Sequence, residues 1–236
     1  MSYNPWPNGQ VPEHLQRPEI KYLRETGYIF SDAREVITIF EEKVAAFANC
    51  KYAVAVDCCT HAIELSLRYL QEIKERLDPA NSKIAIPDNT YMSIPLTLKH
   101  IGERYKLLSF LQWSGIYQIG NTRVWDGAVR WMPDMYVGGN ALQCVSFQIK
   151  KIIPIGRGGM VLTNDKDAAE WIRLAAYDGR DLTTPYDHPD HMKMYPGYHY
   201  YMTPEDAARG IILMDRIDTR GDSGDWTKYP SLKAMG

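Results

Sequence analysis

Lys151 ends the run Ser146-Phe147-Gln148-Ile149-Lys150-Lys151, which starts inside an apolar stretch (Cys144, Val145, Phe147) and leads into Ile152-Ile153-Pro154-Ile155 and Gly156-Arg157-Gly158-Gly159. A lysine set among apolar residues loses hydration, so its charged form is disfavoured and its pKa falls. The neutral amine condenses with aldehydes, which is how Schiff-base lysines are prepared. The plain alternative is a solvated lysine pair at a strand end. Two further segments could serve such an amine. Asp126, in Val124-Trp125-Asp126-Gly127-Ala128, is an acid at a strand end before a turn. Asp57-Cys58-Cys59-Thr60 falls where a strand hands over to a helix. There unpaired backbone N–H groups and the helix dipole favour phosphate, although an ordinary helix cap would read the same way. Asp187-His188-Pro189-Asp190-His191 has metal-ligating residue types but sits in a Pro-rich loop without a third ligand set. It reads as solvated loop, and no metal is expected.

The elements that must position these residues follow from apolar spacing. Val36, Ile39, Phe40, Val44 and Phe47 keep helical period between Asp32, a candidate N-cap, and Asn49. Tyr52 to Val56 reads as a strand and about Thr60 to Arg76 as a helix carrying Ile63, Leu67 and Leu70. A strand over Lys83 to Pro87, a helix from Ser93 and a strand around Lys106 to Leu111 come next. Apolar runs at Thr122–Trp125, Ala141–Phe147 and Gly159–Thr163 precede a helix after Asp165. A last helix opens on Thr203-Pro204, an N-cap with proline in the first turn. Strands alternating with helices predict an α/β domain with a largely parallel sheet.

At 236 residues the chain suffices for one sizeable domain or at most two small ones. Its 45% hydrophobic and 24% charged residues are ordinary for a soluble globular protein. A net charge of −2 gives no electrostatic case for nucleic acid or an anionic membrane. No apolar run approaches a membrane span, and Met1 to Pro12 lacks a signal-peptide core. Four cysteines, two of them adjacent, fit neither a disulfide framework nor a zinc pattern. A reduced, cytoplasmic, soluble protein is expected.

From about Gly27 to Asp218 the sequence resembles the DegT/DnrJ/EryC1/StrS family of pyridoxal phosphate (PLP)-dependent sugar aminotransferases. That family's lysine motif runs roughly Ser-Phe, three variable residues, Lys, then Gly-Glu-Gly-Gly, a spacing that selects Lys151 over Lys150. Val124-Trp125-Asp126-Gly127-Ala128 resembles its Glu-Asp-Ala-Ala segment, Cys58-Cys59-Thr60 its Ser-Gly-Thr turn, and Thr90-Tyr91 its Thr-aromatic pair. Gly197-Tyr198-His199-Tyr200-Tyr201-Met202 resembles its Gly-x-Asn-Tyr-Arg-Met.

The resemblance implies a fold type I (aspartate aminotransferase-like) large domain, with a mostly parallel sheet flanked by helices. It implies Lys151 as the catalytic Schiff-base residue and Asp126 as the catalytic counter-charge to the cofactor's ring nitrogen. Cys59, Thr60 and Ser146 would hold the phosphate, and Tyr91 would cover the ring. His199 would reach the phosphate of the partner in a homodimer. The expected reaction moves an amino group from a donor, glutamate by family likeness, to a nucleotide-linked keto-sugar. A catalytically impaired remnant that binds PLP or a nucleotide-sugar for a structural or interaction role is the alternative. Departures stand at Cys59 for Gly, Val129 for Gln or His, Arg157 for Glu and Tyr201 for Arg. Only Gln112 to Asn121 fills a place where the family has a further strand and helix, and residues 1–236 are expected to form the large domain alone, without the small C-terminal one.

Overall fold

In β1 (Tyr52–Val56), Val54 and Val56 join one apolar cluster while Ala53 and Ala55 join another. Successive strand side chains point to opposite faces, so two separate clusters mean a sheet covered on both sides. This is a computed structural model that describes residues 13–15, 17–75, 77, 83–111, 113–181, 184, 188, 196–224 and 229–235. After α1 (Glu19–Glu25) and α2 (Glu35–Ala48) come β1, α3 (Cys59–Glu72), β2 (Ile84–Pro87), α4 (Ser93–His100) and β3 (Tyr105–Leu108). The strands β4 (Tyr117–Gln118), β5 (Val124–Asp126), β6 (Arg130–Trp131), β7 (Leu142–Ser146) and β8 (Gly159–Thr163) precede α5 (Lys166–Ala176), α6 (Pro204–Arg216) and β9 (Gly221–Asp222).

The central sheet has the order β1-β8-β7-β5-β4. On one face α3 and α5 bring Ile63, Leu67, Leu70 and Ile172 against Val54, Leu142 and Val161. On the other, α2 and α6 bring Phe40, Val44, Ala207 and Ile211 against Val145, Met160 and Leu162. The α/β class is the expected one, but the sheet is mixed rather than mostly parallel. Only β5 and β7 pair parallel within it, while β1–β8, β7–β8 and β4–β5 are antiparallel; β2 and β3 form a separate parallel pair. The cause is local. A parallel return needs a crossover, usually a helix, whereas residues 147–158 turn back without one. Reversal of β8 has a functional consequence: its first residue lies at the same sheet end as the carboxyl ends of β1, β5 and β7, where open α/β sheets bind their ligands.

That end depends on Gly159. A Cβ built on it would lie 2.4 Å from the Cys58 carbonyl carbon and 2.4 Å from the Cys59 nitrogen. Backbone at that distance cannot yield without moving the start of α3. Gly159→Ala is therefore expected to cost about 1–3 kcal/mol, lowering Tm by roughly 3–9 °C at this size. Thermal melting monitored by circular dichroism checks it, and an unchanged Tm would mean that β8 does not press on the α3 start.

One helix start differs from the sequence expectation. Helix α2 starts at Glu35, because Asp32 Oδ1 accepts from Arg34 N–H at 2.9 Å and closes a preceding turn instead. Helix α6 starts as expected, with Thr203 Oγ1 accepting from Asp206 N–H at 3.2 Å. Of the Asp187–His191 cluster only His188 lies within the described residues. No helix among those residues is long and apolar enough to cross a membrane.

Candidate active site

Phe147 is fully buried, its ring 5.3 Å from that of Phe40, and it anchors the chain as β7 ends. A tight turn follows, in which Lys151 N–H donates to the Gln148 carbonyl at 2.8 Å and Lys150 N–H to Gln148 Oε1 at 2.8 Å. The result separates the two lysines: Lys150 is exposed and Lys151 half-buried. Burial lowers the Lys151 pKa, while Cys59 and Asp126 pull it partly back up. Burial thus works against the charged form of the amine that the sequence selects.

Asp126 ends β5 and is only 7% exposed. Its Oδ1 accepts from Ala128 N–H at 3.0 Å and its Oδ2 from the Tyr117 hydroxyl at 2.9 Å. Burial raises its pKa against those two hydrogen bonds and the nearby Lys151 charge. Tyr117 in turn bonds the buried Thr90 hydroxyl, and burial followed by the Asp126 charge holds its own pKa far up. A buried carboxylate raised in this way gains from a cationic partner, and each oxygen keeps acceptor capacity beyond its one bond.

Helix α3 opens at Cys59 with no side chain capping its first turn. None of residues 58–60 has a positive φ, so no glycine is required there for conformation, and the cysteine at position 59 fits without strain. The close approach that does require glycine is made from the opposite side by Gly159. Burial, then the Asp126 charge, pushes the Cys59 thiol well up, so it stays protonated.

Cys59, Thr60, Tyr91, Asp126, Ser146 and Lys151 all line one cleft of about 620 Å³. Tyr91 is 59% exposed on its wall. Val129 and Arg157, two of the departures, line it as well. His199 does not. Its ring is 70% exposed and lies 3.1 Å from Asp178. Tyr201, a third departure, packs its ring on Tyr177 at 5.0 Å and on His199 at 4.8 Å.

Three contributions were not legible beforehand. Tyr117 comes from the segment that the sequence suggested was merely short of a strand and a helix; instead it forms β4, antiparallel to β5, with Tyr117 opposite Asp126. Thr90 has no signal of its own in the sequence beyond its place next to Tyr91. Tyr229, Pro230 and Leu232 form part of the cleft wall. They are held there by Asp88, which accepts from Ser231 Oγ at 2.7 Å and from Leu232 N–H at 2.8 Å. The only sequence signal for this was an acid directly after β2.

A sequence model of the DegT/DnrJ/EryC1/StrS aminotransferase family matches residues 18–105 and 131–223. The chain belongs to that family. GDP-perosamine synthase of Caulobacter vibrioides is 37% identical to this chain over 82 residues, 34% of this chain and 21% of its own length. Spore coat polysaccharide biosynthesis protein SpsC of Bacillus subtilis is 22% identical over 85% of this chain and 61% of its own. The crystal structure of the sugar aminotransferase CalS13 from Micromonospora echinospora superposes with a TM-score of 0.63 at 17% identity, covering 85% of this chain and 65% of that one. The fold is therefore the family's, although this chain spans less than two thirds of each of the three.

The residues also fit the family's cofactor. A half-buried amine, a buried acid, a hydroxyl-bearing uncapped helix start, the Ser146 hydroxyl and an exposed aromatic ring share one cleft. They match in kind the aldehyde, ring nitrogen, phosphate and ring face of PLP.

Proposed function

We propose that this chain forms the cofactor-binding body of a PLP-dependent aminotransferase. It would act on a nucleotide-linked keto-sugar, with glutamate as amino donor. The observation that carries this reading is the placing of Lys151 and the buried Asp126 in the same cleft, with their charges close enough to shift each other's pKa.

PLP, when bound, supplies an electrophilic carbon and an electron-withdrawing ring. Lys151 would hold the cofactor covalently and, once displaced by a substrate amine, carry a proton to and from the substrate carbon. Asp126, fixed by Tyr117 and Ala128, would hold the proton on the ring nitrogen. Thr60, Ser146 and the first-turn N–H groups of α3 would bind the phosphate. Tyr91, already on the wall, would lie over the ring. The relative named for a GDP-sugar supports the substrate class.

A purified protein that gains a visible band with PLP, loses it on adding glutamate and recovers it with a nucleotide-linked keto-sugar has the proposed activity. Uptake of PLP without any response to amino donors would favour the binding-only alternative.

His199 is assigned to the partner's site in a homodimer. Its exposed ring and its position outside its own chain's cleft support this placement. Mixing inactive Lys151→Ala protein with His199→Ala protein should then restore part of the activity. In the mixed dimer one site carries both lesions and the other neither. No recovery after verified subunit exchange would remove His199 from the site.

A further inference from the structure

Asp57 lies two residues before the start of α3, next to the N-cap residue Cys58, and carries two cations. His61 Nδ1 lies 2.6 Å from its Oδ1 and Arg157 Nη2 lies 2.5 Å from its Oδ2. The His61 ring is fixed by stacking on Tyr200, with centroids 3.6 Å apart. Arg157 is held close by the chain itself, because Gly159, two residues on, presses its backbone against Cys58 and Cys59. Its side chain is 68% exposed, it lines the cleft, and Asp57 is its one hydrogen-bond partner among the described residues. Most of the guanidinium's five donors therefore remain available.

We propose that Arg157 is a phosphate-binding residue of the cofactor cradle, with its guanidinium reaching over the first turn of α3 to the phosphate that Thr60 and Ser146 hold. The proposal rests on the PLP reading above and adds to it a residue at which the family usually has an acid. Three considerations favour it. An acid one residue before a phosphate site would repel the ligand unless outweighed, and two cations on Asp57 leave the group net positive. Burial works against the imidazolium, but hydrogen bonds to Asp57 and Cys58 outweigh it and push His61 up to about 9, so both cations are present at neutral pH. Of the charged side chains described as lining the cleft, Lys150, Lys151 and Arg157 oppose Asp126 alone. Guanidinium also suits phosphate geometrically, since its planar fork offers parallel N–H donors. The same cluster could suggest a cation site, because ligand atoms of Asp57, Cys58 and His61 lie within 4.8 Å of one another. The guanidinium already on the carboxylate and the positive end of α3 argue against a cation there.

The test titrates apo-protein with PLP and, separately, with pyridoxal, which has the aldehyde but no phosphate. Wild type, Arg157→Gln and Arg157→Lys are compared, with the visible band as readout and nucleoside diphosphate binding measured in parallel. Arg157→Gln should raise the Kd for PLP at least tenfold and leave that for pyridoxal unchanged. Arg157→Lys should recover part of the loss, and inorganic phosphate should compete with PLP less well in Arg157→Gln than in wild type. Because the side chain is exposed, both variants should melt as wild type does. Unchanged PLP affinity in Arg157→Gln overturns the proposal. So does an equal loss for PLP and pyridoxal, which would mark a structural role, or a loss confined to the nucleoside diphosphate, which would make Arg157 a substrate residue. A wild type that takes up no PLP at all overturns the cofactor reading itself.

Discussion

Lys151→Ala is expected to abolish both the visible band with PLP and all transamination, while Lys150→Ala keeps both. The two lysines are chain neighbours, so the contrast tests position rather than composition. Both lysines line the cleft, but the turn on Gln148 leaves Lys150 exposed and Lys151 half-buried, and burial lowers the Lys151 pKa. Lys151 is the half-buried one of the two, and its charge lies close enough to Asp126 for each to shift the other's pKa. Absorbance spectra of the two purified variants with added PLP decide the matter. A colourless Lys150→Ala beside a coloured Lys151→Ala would place the reactive amine one residue earlier.

Asp126→Asn should still bind PLP but lose turnover on the order of 10²–10³-fold, the scale of removing one preorganised charge from a reacting group. The side-chain shape and an acceptor oxygen remain, but the negative charge beside the ring nitrogen is gone. Stability should move the other way. Because burial raises the folded pKa of Asp126, its contribution to stability is fully present below the unfolded carboxylate pKa and is lost as pH rises through the folded one. At neutral pH the ionised form costs the apo-protein stability, so Asp126→Asn should melt at least as high as wild type. Steady-state rates and melting curves on one preparation test both signs. Near-normal turnover would mean that another acid serves the ring, and a large drop in Tm would mean that Asp126 is held for the fold.

Much of this was legible in the sequence because apolar periodicity reports local structure directly. The run Tyr52–Val56, the cap at Thr203 and the strand before Ser146 were each placed within a residue or two. The motif spacing likewise selected six residues that line one cleft: Cys59, Thr60, Tyr91, Asp126, Ser146 and Lys151. Legibility ended where contacts are long in sequence or where side chains act through backbone approach. The Tyr117–Asp126 bond depends on a two-residue strand too short to show a period. The hold of Asp88 on Ser231 spans 143 residues and is made by polar groups, which leave no apolar period to read. Strand direction is not legible either, because alternation of strands and helices says nothing about the helix-free return between β7 and β8. The glycine pair at 158–159 was recognised as a pattern, but the reason for Gly159, contact with the Cys58–Cys59 backbone, appears only in three dimensions.

The central claim is that Lys151 is the residue bonded to PLP. Treating the PLP-loaded protein with borohydride converts a lysine–PLP linkage into a stable secondary amine, which peptide mass spectrometry then locates. A single phosphopyridoxyl group on Lys151, absent from the Lys151→Ala protein, is the predicted result. Labelling of Lys150 or of another lysine instead, or a reduced protein with no label, would contradict it.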